Sequence, residues 1–82
     1  MDVTTIERNF TYHVPTGTQA SRYDELRQAA KRFAYLILQN TSASREQSLV
    51  FTKLEEAVFW ANAAIARNEV PVGEDVTKKN PV

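Results

Sequence analysis

Eighty-two residues, 43% of them hydrophobic, are enough for one small domain with a modest core and exclude a second. Ten Lys and Arg balance ten Asp and Glu, so no broad field of one sign exists to hold DNA, RNA or an acidic membrane, and any anion site has to be local. The lack of cysteine excludes a disulfide framework, a thiolate zinc site and a cysteine nucleophile, and a single histidine, His13, excludes an all-histidine metal site within one chain.

The first residues, Met1 to Arg8, carry acids where a secretory leader needs bases, with no apolar run behind them, so a soluble cytosolic protein is expected. Residues 1–17 lack helical periodicity. Phe10, Tyr12 and Val14 alternate with Thr11 and His13, the period-two pattern of an extended segment, and Pro15 and Gly17 close it with turn chemistry. Nothing else in the chain offers this segment a strand partner, which makes it an extended N-terminal arm.

From about Thr18 to Asn40, Tyr23, Leu26, Ala30, Phe33 and Ile37 recur at spacings of three and four and define one face of a first helix. Two capping-box spacings, Thr16 with Gln19 and Ser21 with Asp24, compete for its start. Arg22, Arg27, Lys31 and Arg32 lie off the centre of that face and leave the helix basic.

Asn40 to Ala43 form a short polar connection, and Ser44 with Gln47 supplies the next capping box. A second helix to about Asn68 follows, with a seam of Phe51, Leu54, Val58, Ala61 and Ile65. Two such helices, each roughly 35 Å long at 1.5 Å per residue, run antiparallel across so short a loop. The expected organisation is therefore an all-α, antiparallel two-helix hairpin over 18–68, with an extended N-terminal arm over 1–17 and a flexible C-terminal tail over 69–82.

Between Ala57 and Ala66 only Asn62 is polar. That stretch is too short to span a bilayer, and its apolar atoms surround the helix instead of forming one stripe. A two-helix hairpin cannot cover such a helix, so the extra burial is expected from other copies of the chain. Asn62 either fixes register across that homo-oligomeric interface or faces a wet crevice.

No catalytic arrangement emerges. His13 has no serine or acid placed beside it by a recognisable motif, and Gly17 and Gly73 are the only glycines, so there is no phosphate-binding loop. Glu55 and Glu56 are adjacent on a helix and diverge. A non-enzymatic binding protein without cofactor or metal is expected. Its candidate site is the arm around Tyr12 and His13 with the basic start of the first helix, Arg22, Tyr23 and Arg27. Aromatic rings offer stacking faces to nucleobases and arginines offer forked donors to phosphates. The same residues are also compatible with rings that staple the arm to the hairpin and with solvated cations.

Three segments carry a resemblance to a known family: Phe10-Thr11-Tyr12-His13-Val14-Pro15, then Arg22-Tyr23-Asp24-Glu25-Leu26-Arg27, and the long run from Ser44 through Leu54-Glu55-Glu56-Ala57 and Trp60-Ala61-Asn62-Ala63-Ala64-Ile65-Ala66-Arg67. Together they resemble phage anti-CBASS cyclic-oligonucleotide sponges, whose helical hairpin is shared with phage anti-Thoeris sponges for cyclic ADP-ribose-type signals. The resemblance implies a homohexamer in the cytoplasm of an infected bacterium. It would withhold cyclic dinucleotides such as cyclic GMP-AMP in pockets between protomers and, in some members, cyclic trinucleotides in separate pockets. It further implies Tyr12 as the base-stacking ring and Arg27 as the cation beside phosphate, where a family member carries lysine, with His13, Arg22 and Tyr23 in the same site. Arg67 and Asn62 would serve the trinucleotide; the alternative for Arg67 is a cation that meets the helix C-terminal dipole. A non-catalytic helical module that binds another protein is the rival function.

Overall fold

The structure, a computed structural model, describes residues 2–69. Residues 70–82, nearly all of the expected flexible tail, lie outside the described residues. The order is α1 (Val3–Phe10), α2 (Gln19–Asn40) and α3 (Arg45–Asn68), with no strand among the described residues. The start of α2 meets the end of α3 through Gln19, Ile65 and Glu69, so these two helices form the expected antiparallel hairpin.

The N-terminal segment departs from the period-two expectation. Val3–Phe10 is helical, not extended: the Asp2 carboxylate accepts from the Thr5 N–H at 2.8 Å and caps it, and Val3, Ile6 and Phe10 share one face at steps of three and four. Phe10 belongs to both patterns, ending the helical one and opening the alternating one, which is how the helix escaped notice. The irregular arm is confined to Thr11–Thr16, and Gly17, at φ 55°, makes the left-handed turn into α2.

Neither of the two expected boxes caps α2: its N-cap is Thr18, with no side-chain cap bond, and Gln19 is the first helical residue. The Thr16–Gln19 pair ties the preceding turn instead, the Gln19 side-chain oxygen accepting from the Thr16 N–H at 3.0 Å and the Gln19 N–H donating to the Thr16 carbonyl at 3.0 Å. The Ser21 hydroxyl donates to the Thr18 carbonyl at 2.9 Å and caps nothing. At the other end of the hairpin Ser44 caps α3 as expected, accepting from the Gln47 N–H at 3.1 Å. Gln47 reaches across to the Thr41 hydroxyl at 2.9 Å, and Thr41 donates to the Ile37 carbonyl at 2.8 Å, so the connecting loop is tied at both ends.

Along α3 the predicted seam residues Phe51, Leu54, Val58, Ala61 and Ile65 are all half-buried, as are Gln47, Asn62, Ala63, Ala66 and Arg67. On α2 the covered apolar residues are Tyr23, Leu26, Ala30, Ala34 and Ile37, with the polar Gln19 and Arg22 at its start, whereas Phe33, expected in the seam, is 52% exposed. Positions 33 and 34 lie on opposite edges of the Ile37 face, and α3 covers the alanine edge, where short side chains admit close helix approach.

The hairpin encloses little. Ile37, 8% exposed, is the only buried apolar side chain among the described residues. Tyr35, Leu36 and Leu38 follow Phe33 in facing outward, as do Phe59 and Trp60 on α3. None of the described helices is long and apolar enough to cross a membrane.

The open end of the hairpin is clasped by polar groups. Gln19, 6% exposed, donates to the Glu69 carboxylate at 3.1 Å, and Arg22 grips the same carboxylate with two nitrogens at 2.6 and 2.9 Å. Glu69, assigned by composition to the mobile tail, is instead the C-cap of α3 and part of this clasp. Arg22 and Gln19 together hold its carboxyl down at about 2.

Candidate functional site

A cleft of about 560 Å³ opens where the arm crosses the start of α2 and the end of α3. Each side follows from local structure. Tyr23 and Arg27 stand one turn apart on α2 and point the same way. On α3, Phe59, Asn62, Ala63, Ala66 and Arg67 occur at the i, i+3, i+4, i+7, i+8 positions of a single face. The two alanines on that face leave the space, since any longer side chain at Ala63 or Ala66 would fill the floor.

The third side is the arm. His13 is half-buried, and its Nε2 donates to the Arg8 carbonyl at 2.7 Å, which folds the arm back on the C-terminal end of α1. That bond sets the Nε2–H tautomer. With His13 anchored, Tyr12 lies at the cleft edge, 81% exposed, with its ring open for stacking. Asn9 completes this side from α1.

Of the expected dinucleotide residues, Tyr12, His13, Tyr23 and Arg27 converge on the cleft. Arg22 does not. Its two terminal nitrogens bind Glu69 and its Nε binds the Thr18 hydroxyl at 3.0 Å, so its donors stabilise the clasp, and hydrogen bonding to Glu69 raises its pKa further. Arg27 is more available: its single tie is a 3.3 Å contact to Asp24 between two side chains that are about 60% exposed, a weak restraint.

The residues assigned to a trinucleotide, Asn62 and Arg67, line this same cleft in the single chain. They face it differently. The Arg67 guanidinium lies 6.0 Å from the centre of the Trp60 ring, which is not part of the cleft wall, so its charge is shared with a face outside the cleft. Asn62 lies between the cleft and a second groove, and its side-chain oxygen is buried with no hydrogen-bond partner among the described residues. Such a group costs about 1–3 kcal/mol until a donor reaches it.

Phe59, Asn9 and Thr11 are cleft residues that sequence reasoning missed. Phe59 was detectable, because it stands three residues before Asn62 and eight before Arg67 on one helical face. Its ring meets Trp60 edge to face, with centroids 5.7 Å apart, which holds it at the cleft mouth. Asn9 carried no such signal, since its place depends on a helix that the alternating pattern concealed.

Chemically the cleft combines aromatic faces, one accessible guanidinium, amide groups and a small-residue floor, which suits a flat, anionic, hydrogen-bonding ligand. Among the described residues no group of three His, Asp or Glu side chains is placed to hold a metal ion. A family model described as "Acb2/Tad1, hairpin domain" matches residues 1–66. No curated protein and no solved structure matches the chain.

Proposed function

Because the chain belongs to the Acb2/Tad1 hairpin family, of sponges for signalling molecules, we propose that it binds and withholds cyclic dinucleotides without transforming them. Cyclic trinucleotides are further cargo, and the outcome is that CBASS effectors of an infected bacterium go unactivated. The observation that carries this reading is the convergence of Tyr12, Tyr23, Phe59 and Arg27 on one cleft. Tyr12 and Phe59 supply stacking faces, Arg27 a forked donor for phosphate, and Ala63 and Ala66 the room for a ring system. His13 acts as a positioning residue, since its ring holds the arm through Arg8.

Withholding a signal needs tight reversible binding and stoichiometric protein. A homo-oligomer, hexameric by family resemblance, provides several clefts per particle and covers the apolar side chains that one copy leaves in water. Trinucleotides would engage the Arg67 edge of the cleft, with Asn62 as a hydrogen-bonding partner.

A thermal-shift panel of cyclic di- and trinucleotides tests the reading. A ligand at about a hundred times its dissociation constant stabilises the fold by about 2.7 kcal/mol, and chromatography after heat denaturation recovers that ligand intact. Absence of any shift across the panel rejects nucleotide binding in favour of a protein-interaction module, and time-dependent linear product rejects sequestration. The family description pairs two sponge types, so a cyclic ADP-ribose-type signal belongs in the panel as the second reading.

A further inference from the structure

α1 is oriented the wrong way round for a helix packing on its own chain. Thr5 and Asn9, on its polar side, are half-buried, and Asn9 lines the cleft, while Val3, Ile6 and Phe10 are 74, 43 and 82% exposed. The orientation is held in place, with Asn9 in the cleft wall and the Arg8 carbonyl bonded to His13. The apolar stripe is therefore left uncovered by its own chain.

The hairpin carries a matching vacancy. A groove of about 670 Å³ runs between α2 and α3, floored by Ala30, Ala34, Phe51, Leu54 and Val58. Arg27 and Lys31 stand on its rim with Glu55, and Lys31 has no ion-pair partner among the described residues. On α1, Glu7 flanks the apolar stripe while Arg8 falls on the far side. A short helix with an apolar stripe and an acidic edge fits an apolar groove with a largely basic rim.

We propose that the Val3, Ile6 and Phe10 face of α1 seats in the α2–α3 groove of a second copy of this chain, with Glu7 against the partner copy's basic rim. Exchange is reciprocal in a twofold pair: each copy donates one helix and receives one, so the interface closes and its buried area doubles. The groove shares Arg27, Phe59 and Asn62 with the ligand cleft. A seated helix therefore walls that cleft, and assembly and ligand binding are coupled. The inference rests on the homo-oligomer of the proposed function and specifies its twofold surface; joining such pairs into a hexamer takes a further contact.

The cysteine-free chain allows a direct test. Ile6→Cys protein and Ala34→Cys protein, one of them enlarged by a mass tag, are mixed and oxidised. Seating predicts disulfide-linked pairs holding one of each, in clear excess over like-with-like pairs. In light scattering, Glu7→Lys lowers the particle mass and Lys31→Glu in the same chain restores it. A full-mass particle from Ile6→Asp, with helicity unchanged by circular dichroism, overturns the proposal while leaving ligand binding intact as a separate measurement. Only like-with-like crosslinks, or none, overturn it equally. A wild-type chain that scatters as a monomer refutes the assembly itself, whatever its affinity for nucleotides.

Discussion

The hairpin and α1 are both amphipathic, yet their apolar faces have opposite fates. In α2 and α3 the seam residues face each other, and Ile37 reaches burial because another long helix runs beside it. In α1 an equally regular stripe, Val3, Ile6 and Phe10, is left uncovered in the single chain, while Asn9 on its polar side lines the cleft. Periodicity specifies a face but not what covers it. A helix of 22 or 24 residues finds partner enough for one seam within its own hairpin, though not for the rest of its apolar surface, whereas one of 8 residues cannot hold even its own backbone without docking.

The largest expected effect on stability breaks the hairpin side of this contrast. Leu54→Ala removes seam contacts and should lower stability by about 2 kcal/mol, the low end for a leucine that is only half-buried, as read by urea denaturation. At dilutions where the chain is monomeric, Val3→Ala in α1 should leave the same curve within about 0.5 kcal/mol, with a loss appearing only where copies assemble; a loss equal to that of Leu54→Ala in the monomer would show that α1 belongs to the cooperative core.

At the cleft, Tyr12→Ala should cost about 1–3 kcal/mol per stacked base and Arg27→Ala a charge-assisted contact of about 1.5–3 kcal/mol. Calorimetric titration with a cyclic dinucleotide checks both. Arg67→Ala should weaken that ligand less, because its charge leans toward Trp60, and should weaken a cyclic trinucleotide more. Equal losses for both ligands would merge the two roles into one.

The caps sharpen the comparison. Ser44→Ala removes the acceptor at the start of α3 and should cost about 1 kcal/mol of global stability. Asp2→Ala removes the corresponding group from α1, and in the monomeric chain hydrogen exchange should show α1 opening while global stability stays put. Loss of global stability on Asp2→Ala would mean that α1 folds with the hairpin.

A smaller effect follows from the clasp. The Glu69 carboxyl ordinarily titrates near 4.5 and is held at about 2 in the folded chain. Its contribution is therefore complete above about pH 4.5 and is lost as pH falls through about 2, with the charged form favoured by Arg22 and Gln19. The pair is a third or more exposed, so solvent screens it and the loss is modest. Glu69→Gln should flatten this acid limb and leave neutral-pH ligand binding unchanged; an unaltered limb would place the acid sensitivity elsewhere.

Asn62→Leu should have the smallest effect on stability, neutral or slightly favourable, since it replaces an unpartnered buried oxygen by apolar atoms. Marked destabilisation would reveal a partner for that oxygen.

Much of the hairpin was written in local chemistry. Ser44 and Gln47 announce the start of α3 because a cap needs only residues three apart, and the spacings of Leu54, Val58 and Ile65 name the inner face because a helix has one period. The aromatic and basic character of the site, Tyr12 with Tyr23 and Arg27, was legible for the same reason, as residue type and turn spacing are local. Distant partners were not. Whether Arg22 meets a ligand or Glu69, whether Phe33 or Ala34 faces α3, and whether Phe10 ends a helix or begins a strand each depend on groups brought close only by folding. These choices were decided in the tertiary structure, because a side chain's period constrains its direction while its partner depends on which surfaces the folded chain brings within reach.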